Sequence, residues 1–307
     1  MLSGIAAFNA SFLYDLTNNE NRVSKENQQI SSGYRVSVAS DDPSAVGPIL
    51  EYQGQLDQVT QIQSNLTLAN ADVTTADQAL QNASTLLDEL VSIGTEGASS
   101  TTSDASRAAL AQRVQNIQQQ LVSIANTSSR GHYLFGGDAS TTAPYTFDWT
   151  QPGGVVNNSP GVQNTSLLRD ASGNTINTGL TAQQIFDAQD SNGNTLPGNI
   201  FQAVYSLGQA LQNNNESAIQ TAADSIKVGV TQLAQSTSTY GSLENWISQA
   251  SAQASQRISA LQQSLSAVRD TDVAAAATQL TLDQTAMQAS LSAHGSLNTK
   301  SLFSYLG

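Results

Sequence analysis

The sequence predicts a mainly α protein: a long antiparallel coiled-coil helical rod formed by its N- and C-terminal halves, with a small β-rich domain inserted between them. Three observations carry that prediction. Apolar residues recur with a period of seven along two long stretches, and turn-forming residues crowd the middle of the chain. The 307 residues are also only 11% charged and 6% aromatic. Helices rich in Ala, Ser and Gln then carry a narrow apolar seam, which only a partner helix can cover.

Along the first stretch, Tyr52, Val59, Leu66, Val73, Leu80 and Leu87 occupy one heptad position. Ile62, Ala69, Ala76, Ala83 and Leu90 follow three residues later in each repeat. Alternating steps of three and four keep one stripe facing a neighbouring helix. At a rise of 1.5 Å per residue, about 45 such residues run roughly 65 Å. A shorter seam follows in Leu110, Val114, Ile117, Leu121 and Ile124. The segment GTEGASSTTSD over 94–104 is expected to break both helices, with Ser103 or Asp104 capping the second. So short a connection makes the two an antiparallel hairpin.

The other long seam holds Ile226, Leu233, Tyr240, Ile247, Ala254, Leu261 and Val268. Ile258 and Leu265 add the companion stripe, which Thr237, Glu244 and Ser251 interrupt, so looser packing is expected in the middle. Between the helical halves, QPGG, NNSPG, ASGN, SNGN and LPGN mark turns, with β-prone pieces at Tyr145 to Trp149 and Thr175 to Asn177. A short helix capped by Thr181 and another over Phe201 to Leu211 complete the middle. The expected partition is 1–42 and 265–307 as terminal helices, 43–137 and 201–264 as the two halves of the rod, and 138–200 as the insertion.

The two ends carry thinner stripes: Leu2, Leu16, Val23 and Ile30 beside Ile5 and Phe12, and Val273, Leu280 and Met287 followed by Leu291, Leu297, Leu302 and Leu306. Neither is apolar enough to be a stable helix alone in water. Each needs the other and neighbouring subunits, and the ends are expected to be mobile in the monomer. The candidate assembly interface is therefore Ile5, Phe12, Leu16, Val23, Ile30, Val273, Leu280, Met287, Leu302 and Leu306.

Composition excludes several functions. A net charge of −13, from 24 acids against 11 bases, repels nucleic acid and anionic lipid. Without cysteine there are no disulfides, thiolate metal sites or cysteine nucleophiles. His132 and His294 stand far apart with no ligand pattern around them, and no cofactor or metal is expected. No apolar run approaches membrane-spanning length. The first residues, MLSGIAAFNASFLYDL, lack the basic start and long apolar core of a cleavable signal peptide.

Four acids of the insertion, Asp148, Asp170, Asp187 and Asp190, could supply the carboxylate pair of a glycosidase-type enzyme. That chemistry needs one acid with a raised pKa in a partly apolar cleft, whereas these lie in Gly- and Asn-rich turns that read as solvated. Asp190, Asn192 and Asn194 resemble part of a calcium loop. Gly193 stands between the ligands, however, and Phe201 occupies the twelfth position, where such a loop closes on an acid. A non-enzymatic protein is expected.

One loop is distinctive. In ISSGYRVSVASDDP, residues 30–43, Gly33 suits a left-handed helix end, and Asp42 with Pro43 suits a helix start. Arg35 can pair with Asp41 or Asp42, and these five residues form an inter-domain loop. The segment resembles the N-terminal signature of flagellins and flagellar hook-associated proteins. Within that family, SDDPSA at 40–45, HYLFGGDASTTAPY at 132–145 and the ending Ser301 to Leu306 resemble the hook–filament junction branch more than filament flagellins. The resemblance implies export through the flagellar type III apparatus, an extracellular place in the flagellum, and terminal helices that line a hollow tube. The partners it implies are other copies of the chain, neighbouring axial proteins (hook-associated protein 1 and flagellin) and an export chaperone. A filament flagellin is the alternative.

Overall fold

The computed structural model describes the backbone of residues 2–190 and 193–298, and the side chains of 8–190 and 193–296. Helix α1 spans Leu2–Ser32, α2 Pro43–Gly97 and α3 Asp104–Ala125. Six short strands follow: β1 Ser128–Ser129, β2 His132–Tyr133, β3 Tyr145–Phe147, β4 Val155–Asn157, β5 Leu167–Arg169 and β6 Thr175–Asn177. The chain continues through α4 Ala182–Phe186, α5 Ile200–Gln212, α6 Glu216–Arg269 and α7 Val273–Asn298. Two compact units result: Met1–Gln58 with Arg257–Gly307, and Val59–Gln256. Helices α2 and α6 each contribute a stretch to both.

In the unit Val59–Gln256 the heptad stripes are the core. Val59, Leu66, Val73, Leu80 and Leu87 are buried, as are Ala76, Ala83 and Leu90 of the companion stripe, while Ile62 and Ala69 are half-buried. From α6, Ile226, Leu233, Tyr240, Ile247 and Ala254 are buried as well. The helices run antiparallel, because Gln63 reaches Ser251 while Thr74 reaches Glu244. Gln63 Nε2 donates to Ser251 Oγ at 2.6 Å and Thr74 Oγ1 to Glu244 Oε1 at 3.0 Å. Two of the polar interruptions of the α6 stripe thus find partners on α2. The third, Thr237, turns its hydroxyl back to the Leu233 carbonyl at 3.0 Å.

The segment expected to break both helices does so, but only over 98–103, between the end of α2 and the start of α3. Helix α2 continues through Gly94 to Gly97, because these glycines are contact points. A Cβ on Gly94 would lie 2.7 Å from Ala223 Cβ, and one on Gly97 would lie 2.4 Å from Leu211 Cδ2. Close approach of α6 and α5 therefore requires the missing side chains. Ser103 caps α3, accepting from the Ser106 amide at 3.2 Å. Arg107, buried in the turn, donates to the Gly97 carbonyl at 2.9 Å and pairs with Glu216 at 2.6 Å, tying the end of α2 to the start of α6.

Among the described residues the middle of the chain forms three separate two-stranded antiparallel sheets, β1–β2, β3–β4 and β5–β6. Tyr145 pairs with Asn157 and Phe147 with Val155; Leu167 pairs with Asn177 and Arg169 with Thr175. Residues 138–200 share an aromatic core with the flanking helices. Tyr145 meets the Phe201 ring edge-on at 4.9 Å, Phe186 stacks on Phe201 at 5.6 Å, and Phe135 stands edge-on to Tyr240 at 6.1 Å. Thr181 caps α4 in a reciprocal capping box with Gln184, and α5 extends the expected Phe201–Leu211 helix by one residue at each end.

Two acids read as solvated are buried. Asp187 accepts from the Tyr145 hydroxyl at 2.9 Å and from Asn199 Nδ2 at 2.7 Å, which fixes it as the polar centre of the aromatic core. Burial, then the Asp187 charge, pushes the Tyr145 hydroxyl above its usual range. Burial alone would raise the Asp170 carboxyl, but bonds from the Asn174 side chain and the amides of its own turn hold it below the ordinary value.

Gly94→Ala should destabilise the protein by about 1–3 kcal/mol, through overpacking against Ala223. Gly54→Ala, in an open part of α2 with nothing within 4 Å of the added Cβ, should stabilise it by about 0.5–1 kcal/mol. Urea unfolding followed by circular dichroism measures both, and equal shifts of the same sign would contradict the packing.

Candidate assembly interface

The loop expected between helices is half of a clasp. Helix α1 stops because Gly33 takes φ +73°, with its amide donating to the Gln29 carbonyl at 2.8 Å. A Cβ there would meet nothing within 4 Å, so the backbone conformation, not space, selects glycine. The chain then runs antiparallel to the α6–α7 junction. Tyr34 bridges to Asp270, the Arg35 and Val36 amides donate to the Arg269 carbonyl at 2.8 and 3.1 Å, and Thr271 donates to Gly33 O at 2.9 Å. The Arg269 guanidinium lies 4.2 Å from the centroid of the Tyr34 ring, within cation–π range.

Arg35 chooses Asp42, at 3.0 Å, and not Asp41. Its other terminal nitrogen donates to the Val268 carbonyl at 2.7 Å, among the last carbonyls of α6. One guanidinium thus caps the negative end of α6 and holds the carboxylate at the start of α2. Asp42 accepts from Ser44 N at 3.2 Å and Ser44 Oγ at 2.6 Å, with Pro43 opening α2 as predicted. These bonds, the Ser44 hydroxyl first and Arg35 next, hold the Asp42 carboxyl below its ordinary value. Asp41 closes the loop on itself, accepting from the amides of Val38 and Ser37 at 3.0 Å each, and those bonds lower its pKa. On the opposite strand Asp272 caps α7 through the amides of Ala274 at 2.9 Å and Ala275 at 3.0 Å. The sequence reading missed this second half. Its signal was the Asp-Thr-Asp triplet ahead of an alanine run.

Beyond the clasp, α1 and α7 pair antiparallel within the chain. Phe12 stacks on His294 with centroids 3.9 Å apart, Asn9 Oδ1 lies 3.2 Å from His294 Nε2, and Arg22 pairs with Asp283 at 3.4 Å. Covered positions on α1 are Asn9, Phe12, Leu16, Asn19, Val23, Glu26 and Ile30, in alternating steps of three and four, with Gln29 beside the last. Ala276, Leu280, Asp283, Met287, Ser290 and His294 match them on α7. Six of the candidate interface residues, Phe12, Leu16, Val23, Ile30, Leu280 and Met287, therefore sit half-buried on this internal seam. Val273 is 49% exposed at the start of α7. The Ile5 side chain, Leu302 and Leu306 lie outside the described residues.

Large apolar side chains also stand outside the seam: Leu13 at 60% exposure, Tyr14 at 69% and Leu282 at 59%, with Leu291 nearby in the sequence of α7. Heptad reading does not find Leu13, Tyr14 and Leu282, since they fall off the repeat. Among the described residues no group of His, Asp or Glu could hold a metal ion, and no helix is long and apolar enough to cross a membrane.

Comparison with known proteins matches this architecture at both ends. The model of the bacterial flagellin N-terminal helical region covers residues 6–140, and that of the C-terminal helical region covers 223–306. Together they take in more than two thirds of the chain. The chain belongs to the bacterial flagellin family. Among its relatives is flagellar hook-associated protein 3 of Escherichia coli K12, 27% identical over 305 residues and covering 94% of both chains. The Salmonella typhimurium protein of the same description is 30% identical over 178 residues, covering 58% of this chain and 54% of its own length. The solved structure of a flagellar hook-associated protein from Vibrio parahaemolyticus has the same fold. It aligns with a TM-score of 0.64 at 20% identity, over 74% of this chain and 99% of that one. The two matched helical regions each contribute one side of the clasp.

Acid should open the clasp. The Asp41 and Asp42 carboxyls are held below the ordinary 3.8. Their contribution is therefore present above that value and is lost as pH falls through their lowered values. The amide resonances of Ser37 and Val38 should shift together in that window, and Asp41→Ala should abolish the titration. A midpoint at or above 3.8 would contradict the geometry.

Proposed function

We propose that this chain is a structural subunit of the bacterial flagellum that joins the hook to the filament, polymerising through α1 and α7 and catalysing no reaction. The observation that carries this reading is the end-to-end match to a hook-associated protein 3, over 94% of both chains. The physical basis lies in the terminal helices. Their mutual seam is half polar, and Leu13, Tyr14 and Leu282 project where the single chain leaves them exposed. Burying each such side chain against a neighbouring copy contributes about 1.5–3 kcal/mol before the costs of association. Residues of the seam itself, including Phe12, Leu16, Val23, Ile30, Leu280 and Met287, would then support assembly indirectly, by holding those side chains on paired helices. Ile5, Val273, Leu302 and Leu306 extend the same interface.

The partners in this reading are further copies of the chain, with hook-associated protein 1 on the hook side and flagellin on the filament side. An export chaperone would hold the terminal helices before assembly, and the working location is the extracellular flagellum. Helix α2, α6 and the short sheets carry the remaining surface. They would form the outer contacts that adapt one helical lattice to the next.

An epitope tag placed in the exposed turn at Ser99 to Thr102 should label a single focus at the hook tip in motile cells. Labelling along whole filaments would assign the chain to the filament instead. Tyr14→Asp with Leu282→Asp should reduce incorporation at the hook at least about tenfold, while the secreted protein keeps the helix content of the parent.

A further inference from the structure

One residue of the α1–α7 seam stands apart from its apolar neighbours. Asp283 is only 4% exposed, although its position in the repeat is one that a coiled coil fills with an apolar side chain. Its Oδ1 lies 3.4 Å from Arg22 Nη2 and accepts from Gln279 Nε2 at 3.1 Å. Arg22 also donates to Asn19, another covered position of α1. The second oxygen, Oδ2, is buried and meets no donor among the described residues. A carboxylate held this way is costly. Desolvation is incompletely offset, and the paired Arg22 is itself 58% exposed. A leucine would stabilise the helix pair more.

We propose that Asp283 is a register pin: its buried carboxylate selects one alignment of α7 on α1 and keeps that pairing weak enough to open. The cations of α1 are Arg22 and Lys25. Sliding α7 by one heptad in one direction carries Asp283 from Arg22 to Asp15, and in the other to Gln29. The first shift sets two carboxylates together, and the second buries a charge beside a neutral amide. Neither alignment retains the arginine. The apolar seam residues cannot make this choice, because leucine, valine, methionine and alanine accept one another after a shift of seven. The pin concerns the free chain, and it holds whichever axial position the protein occupies.

The chain has no cysteine, so an engineered pair reports the register directly. Asn9→Cys with His294→Cys tests the observed alignment, in which the two positions face each other, Asn9 Oδ1 lying 3.2 Å from His294 Nε2. Asn9→Cys with Met287→Cys tests the alignment displaced by one heptad. With Asp283 present, disulfide yield of the first pair should exceed that of the second by at least about tenfold. In the Asp283→Leu background the ratio should fall about fivefold or more, and the melting temperature of the full chain should rise. Asp283→Asn, of nearly equal volume, should also lower the ratio. Arg22→Gln should instead speed amide exchange in α7 by about tenfold, by leaving the carboxylate bare. An unchanged ratio in both Asp283 variants, or a lower melting temperature for Asp283→Leu, would overturn the proposal.

Discussion

A helix with one apolar stripe cannot be stable until something covers the stripe, and every long helix of this chain is of that kind. The answer in each case is a helix from the opposite end of the sequence, running antiparallel. Helix α2 takes α6, and α1 takes α7. Both chain ends are thereby brought together, and the backbone must change helix twice in one place, at Gly33–Asp42 and at Asp270–Asp272. The clasp between these segments follows from that requirement. Two helix ends and two helix starts present unpaired carbonyls and amides; Arg35, Asp42 and Asp272 bond to some of these, while Asp41 ties the loop between α1 and α2 to itself.

The two helix pairs obey the same rule with different materials. In the α2–α6 pair the seam is built from Val59, Leu66, Val73, Leu80 and Leu87, all buried, and two of its polar members, Glu244 and Ser251, find cross-helix partners. In the α1–α7 pair Asn9, Asn19, Glu26, Asp283, Ser290 and His294 alternate with the apolar residues. The first pair suits a permanent scaffold. The second suits a segment that must first remain open and then be completed by neighbours, with Leu13, Tyr14 and Leu282 left for them.

The heptads made the long seams legible, because a period of 3.5 survives any change of residue type that keeps the stripe apolar. Gly33 and the Asp42–Pro43 step were legible too, since each residue type fits one backbone situation. Other features were hidden for identifiable reasons. Gly94 and Gly97 looked like helix breakers because sequence does not show that Ala223 and Leu211 press against them. Asp283 and His294 interrupt the repeat and so vanished from it. The core shared by Phe135, Tyr145, Phe186 and Phe201 was masked by the turn formers around it, and with it the burial of Asp187. Six of the candidate assembly residues chosen by heptad position, Phe12, Leu16, Val23, Ile30, Leu280 and Met287, face the chain's own partner helix. The side chains left free for neighbours fall off the repeat.

The central claim is that one seam is a scaffold and the other is provisional until assembly. Residue-resolved hydrogen exchange on the full chain, free and then incorporated at the hook, addresses it directly. In the free chain, amides of α1 and α7 should exchange far faster than those of α2 between Leu66 and Leu90, and incorporation should remove the difference. Equal protection of both seams in the free chain would contradict the account.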